Sequence, residues 1–129
     1  MFIDMLASAL VFIGGLVGSL WRFWWSGLVA RRFGETFPFG TLVVNITASI
    51  LLGLISGFLA HVADRQVATA LQQFLAVGVC GGLSTFSSFS LQTWNLLLER
   101  RWLAATLNIL VSTILCFAGI ALGWQFTGA

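Results

Sequence analysis

Gly81-Gly82-Leu83-Ser84-Thr85-Phe86-Ser87-Ser88-Phe89-Ser90 lies near the middle of an uncharged run, residues 66–98. A straight α-helix of that length would reach ~50 Å, against a hydrocarbon core ~30 Å thick. Two glycines and a hydroxyl cluster mark its centre. Irregular backbone at membrane depth is tolerated only where protein buries it or a polar cavity borders it. The run is therefore expected to be a membrane helix broken at mid-membrane, near residues 81–85, with the function at the break.

The rest of the chain supplies the membrane setting. Of its 129 residues 59% are hydrophobic and 8% charged, where soluble domains carry roughly one-quarter charged residues. The pI near 9.0 reflects scattered arginines, since lysine is absent. They form no basic face, so no nucleic-acid partner is expected. Charge spacing divides the sequence into four spans, about 5–29, 40–60, 66–98 and 102–126, each long enough to cross a bilayer. The expected fold is a single all-α integral membrane domain. Arg31-Arg32 and Glu99-Arg100-Arg101 punctuate one side, and Asp64-Arg65 the other. Pro38, the only proline, suits the start of the second helix. Trp24, Trp25, Trp94, Trp102 and Trp124 fall near span ends, where amphipathic rings favour the headgroup layer. The arginine bias places the 31–36 link and the 99–101 turn in the cytoplasm. A cleaved leader fits poorly, because no basic segment precedes the first apolar run.

Each span carries a Gly-x-x-x-Gly pair: Gly14 and Gly18, Gly53 and Gly57, Gly78 and Gly82, Gly119 and Gly123. Such pairs allow close helix contact, either within one subunit or between two. Four short spans leave little room for a solvated path, which favours an oligomer. Cys80 and Cys116 sit in apolar runs and read as small packing residues. His61 reads as a loop residue, with no partner suggesting catalysis, so no enzyme is expected.

The polar residues inside the spans share a sign. Arg22 and Asn45 each fall ~9 Å below the same face at 1.5 Å per residue, so they are candidates for one vestibule. The competing readings are a snorkelling arginine and an interhelical amide bond. Ser84, Thr85, Ser87, Ser88, Ser90 and Thr93 follow, then Thr106, Asn108, Ser112 and Thr113. Donors without an embedded carboxylate favour an anion path over a cation path, unless the hydroxyls bond back to their own helices. Phe86 and Phe89, at i and i+3, share a face. They are packing residues or, through their positive ring edges, weak anion contacts of the kind conduction needs.

Residues 78–90 resemble the signature of the Fluc/CrcB family of fluoride channels. Gly14-Gly15-Leu16-Val17-Gly18-Ser19-Leu20-Trp21-Arg22 is similar to the family's first-helix motif, and Pro38-Phe39-Gly40-Thr41-Leu42-Val43-Val44-Asn45 to its second-helix start. The resemblance covers the whole chain. It implies an antiparallel homodimer of four-helix subunits in the bacterial inner membrane, inserted in both orientations, that lets cytoplasmic fluoride leave passively. The arginine bias sits awkwardly with that dual topology. By resemblance Phe86 and Phe89 line the fluoride path, Asn45 is the pore asparagine and Arg22 the vestibule arginine. Ser112, with Asn108 one turn earlier, belongs to a polar track, and Ser87 is grouped with the path. Backbone carbonyls of Gly81 and Ser84 hold a structural sodium ion at the dimer interface. Two departures stand out. Ser84 and Ser88 replace threonines, and Gln92 stands where many members carry glutamate. The alternative, a small proton-coupled multidrug-type exporter, requires an embedded carboxylate that the spans lack.

Overall fold

The computed structural model describes residues 1–34 and 37–128; the end of the polar 31–36 link lies outside the described residues. Helix α1 runs Phe2–Phe33 and α2 Phe39–Leu59. Helix α3, Arg65–Leu71, passes without a break into a π-helical stretch, Gln72–Cys80, and a last turn, α4, Gly81–Leu83. Helices α5, Phe86–Leu98, and α6, Trp102–Thr127, complete the chain, and no strand occurs among the described residues. Four stretches are long and apolar enough to cross a bilayer: Phe2–Phe33, Phe39–Leu59, Arg65–Leu98 and Trp102–Thr127.

Local chemistry sets the boundaries. Helix α1 outlasts its apolar run and takes in Arg31 and Arg32, because arginine is a good helix former and the chain there can extend into polar surroundings. It stops at Gly34, whose φ of 80° few other residues adopt readily. Asp64 caps α3, its Oδ1 accepting from the N–H groups of Gln66 at 2.9 Å and Val67 at 3.3 Å. The α5–α6 turn ends in a left-handed Arg100, φ 57°. Arg101 N–H donates there to Leu96 C=O at 2.9 Å and Arg100 N–H to Leu97 C=O at 3.0 Å, the reverse-turn closure that glycine usually makes.

The glycine pairs hold the helices together. A Cβ on Gly14 would collide with the Phe74 carbonyl, one on Gly18 with the Val79 carbonyl, and one on Gly82 with the Gly15 carbonyl. On the other side Gly53 lies against the Ile120 carbonyl and Gly123 against the Ile50 carbonyl. Thus α1 packs on the π-helical stretch, and α2 on α6, backbone against backbone. In lipid, which is as apolar as leucine, such dispersion contacts rather than water exclusion drive helix association. The innermost cluster, Val44, Ala48 and Leu83, sits under Trp21, Trp25 and Leu51. It lies where α2 meets the end of α4, next to the site described below.

Candidate functional site

Helical backbone stops after Leu83. Ser84 (φ −76°, ψ 156°) and Thr85 (φ −150°, ψ 119°) are extended before α5 begins at Phe86. Gly81 keeps helical angles, φ −65° and ψ −39°, so the irregular residues are the two hydroxyl-bearing ones. The reason lies on α2. Asn45 faces Thr85 and pairs with its backbone twice: Thr85 N–H donates to Asn45 Oδ1 at 2.8 Å, and Asn45 Nδ2 donates to Thr85 C=O at 3.1 Å. A side-chain amide here replaces the neighbour that a strand would have. Thr85 Oγ1 then caps α5 by accepting from Ser88 N–H at 3.1 Å, and it lies 3.1 Å from Ser87 Oγ.

These bonds redirect two donors. In a continuous helix Thr85 N–H would bond to the carbonyl of Gly81, and Ser88 N–H to that of Ser84. Here the first goes to Asn45 and the second to the Thr85 hydroxyl. The carbonyls of Gly81 and Ser84 are therefore released from their helical partners, and Gly81 is exposed with open space where a Cβ would stand.

Beside the interruption lies a cavity of about 350 Å³ whose lining includes Asn45, Ser84, Thr85, Phe86, Phe89 and Ser112, together with Ser49, Thr113, Cys116, Phe117 and Ile120. The Phe86 and Phe89 rings are 5.7 Å apart between centroids and tilted by 41°, so edges as well as faces are presented. Phe86 is 78% exposed. No carboxylate lines this cavity among the described residues.

Several hydroxyls are committed to their own helices: Ser49 to Asn45 C=O at 2.8 Å, Thr113 to Ile109 C=O at 2.7 Å and Thr93 to Phe89 C=O at 2.8 Å. A serine or threonine hydroxyl has one proton, so at the cavity Ser49 and Thr113 have lone pairs rather than a proton to offer. Donors left for a guest include the second amide proton of Asn45 and the Ser84 hydroxyl. The aromatic ring edges add to these.

Not every expected residue joins this wall. Asn108 is buried and lies off it, and Ser87 is exposed. Arg22 is half-buried, lines neither this cavity nor the larger one, and has no hydrogen-bond or ion-pair partner among the described residues. The larger cavity, about 1060 Å³, opens between α1, α2 and α5 and includes Arg31, Ser88, Gln92, Asn95 and Arg101. The Oε1 of Gln92 is enclosed and unpartnered. Ser49 was not singled out from sequence, although its position one turn after Asn45 puts both on one face.

Comparison with known proteins bears on this geometry. The model of the family described as CrcB-like protein, Camphor Resistance (CrcB), matches residues 9–124. A Brucella abortus protein named fluoride-specific ion channel FluC 4 is 42% identical over 118 residues, covering 92% of this chain and 89% of its own. Proteins named fluoride-specific ion channel FluC from Opitutus terrae and Rhodospirillum rubrum are 46% and 44% identical. They cover 86% and 85% of this chain, and 84% and 85% of their own lengths.

Proposed function

The chain belongs to the CrcB family, and from that membership we infer that it is a fluoride channel: a multi-pass membrane protein that conducts an ion and catalyses no reaction. We propose that it lets cytoplasmic fluoride leave passively across the bacterial inner membrane. The observation that carries the reading is the wall of the smaller cavity, where Asn45, Ser84, Phe86, Phe89 and Ser112 meet without a carboxylate among the described residues. A proton-coupled cation exporter would need such a carboxylate there.

In this reading a fluoride ion exchanges part of its water shell for one Asn45 amide proton, a serine hydroxyl and the positive edges of Phe86 and Phe89. With the Ser49 and Thr113 protons held by helix carbonyls, the ring edges add to the few donors that face the ion. Ring edges bind weakly, as conduction demands. Arg22, half-buried and without an ion-pair partner among the described residues, raises the local anion concentration. Ser87, exposed beside the Thr85 hydroxyl, stands at the margin of the path.

The interruption at Ser84 and Thr85 lies at mid-membrane on this reading, and two subunits associate antiparallel. The exposure of Phe86 supports this: its ring has no second wall within the subunit. A second copy turned about an axis in the membrane plane supplies one and gives two paths per dimer. The same axis suits the structural sodium ion. The carbonyls of Gly81 and Ser84 have lost their helical donors, Gly81 is bare on its outer face, and a hard cation takes oxygen ligands. Sodium would neutralise these carbonyl dipoles and tie the two interrupted helices together.

The test is efflux from liposomes, read with a fluoride electrode and with chloride as control. Wild-type protein should release fluoride and leave chloride inside. Phe86→Ile with Phe89→Ile should lower fluoride flux by at least about tenfold, equivalent to some 1.4 kcal/mol of barrier. Full flux from the double variant would remove the rings from the path.

A further inference from the structure

Helix α5 carries both phenylalanines yet is thinly held, with only Thr93 and Leu96 buried. Asn45 ties down its start. A second tie lies two turns further on, where Asn108 of α6, 2% exposed, donates Nδ2–H to Thr93 Oγ1 at 2.9 Å. Thr93 in turn donates to the carbonyl of Phe89 at 2.8 Å.

The directions of these bonds are forced. A carbonyl only accepts, so the single Thr93 proton goes to Phe89, and Thr93 can only accept from Asn108. That fixes the amide orientation of Asn108 and turns its Oδ1 toward Ser112 Oγ, 3.4 Å away. Neither Asn108 nor Thr93 lines the cavity; Phe89 and Ser112 do.

We propose that Asn108 is a positioning residue for conduction. Through Thr93 it sets the height and rotation of the α5 turn that carries Phe89, and with it Phe86, and it does not touch the ion. Asn45 and Asn108 then act as two amide latches, one on each side of the ring pair. The flux consequence rests on the fluoride reading; the latch itself does not.

The experiment pairs liposome flux with hydrogen exchange on the intact protein in micelles. Thr93→Val keeps the shape and removes the hydroxyl, Thr93→Ser keeps the hydroxyl, and Asn108→Leu removes the amide. Thr93→Val and Asn108→Leu should each lower fluoride flux by about tenfold, and their combination should do no more than either alone, as for residues acting as one unit. Thr93→Ser should retain flux within about twofold of wild type. Exchange should rise across residues 86–93 in the valine and leucine variants while α2 is unchanged. Full flux with Thr93→Val, losses that multiply, unchanged exchange in α5, or exchange raised in every helix would each overturn the proposal. A wild-type chain that passes no fluoride would defeat the channel reading instead, and the exchange arm would still decide the latch.

Discussion

Replacing Asn45 by leucine, similar in size but without hydrogen-bonding groups, removes both bonds to Thr85. The two losses differ in size. The Thr85 N–H has no helical acceptor, because Ser84 and Thr85 are extended. Leaving it unpaired in apolar surroundings costs about 1–3 kcal/mol. The bond that the Thr85 carbonyl accepts from Asn45 crosses between two helices. Its loss falls near the average of about 0.6 kcal/mol for interhelical bonds in membranes. The sum is about 1.6–3.6 kcal/mol, or roughly 15- to 400-fold in the equilibrium constant at 1.4 kcal/mol per decade. Reversible unfolding in a detergent–denaturant titration, followed by tryptophan fluorescence, measures it directly. Fluoride flux should fall with the stability, since the break, the second amide proton and the seat of Phe86 go together. A leucine variant within about 0.5 kcal/mol of wild type would show that Asn45 does not hold the interruption, and the account of the freed carbonyls would fall with it.

Other substitutions test the packing. Gly18→Ala would drive a Cβ into the Val79 carbonyl and to 2.9 Å from the Leu83 nitrogen; neither can yield alone, so a loss of about 1–3 kcal/mol is expected from the same titration. Gly27→Ala meets open space on the same helix and should be neutral or gain up to about 1 kcal/mol in helix propensity; equal effects at the two sites would contradict the close-contact argument. Arg100→Gly should raise stability by about 1 kcal/mol, because it relieves the left-handed conformation at φ 57°. A fall in melting temperature would mean that the arginine side chain contributes more than its backbone costs.

The four apolar helices were legible because charge and length suffice to mark a bilayer crossing. Gly14, Gly18, Gly53 and Gly123 could be recognised as contact residues, but not their partners: spacing along one helix carries no information about which helix lies opposite. The interruption was legible only as a region. Glycines drew attention to residues 81 and 82, whereas the extended backbone falls on Ser84 and Thr85, where an amide 40 residues earlier supplies what the helix gives up. Asn45 read from the sequence as an anion donor or an interhelical amide bond; that its partner is the Thr85 backbone could not be read there, nor could the Asn108–Thr93 bond. Part of the hydroxyl set follows the other reading, bonding back to its own helices. Thr93, Thr106 and Thr113 count as donors in the sequence, yet their protons are occupied by carbonyls one turn back.

The Asn45–Thr85 pairing also bears on the order in which the protein can be made. Residues 84 and 85 leave helical geometry where α2 offers them a partner; without that partner in lipid, the run from Arg65 to Leu98 would best satisfy its own amides as one unbroken rod. Synthesis from the N-terminus delivers the partner first, so the amide waits in the membrane when the hydroxyl cluster emerges. A circular permutant that made residues 65–98 before residues 39–59 would insert the rod and have to undo it afterwards. The kink is thus a product of sequence order as much as of sequence content.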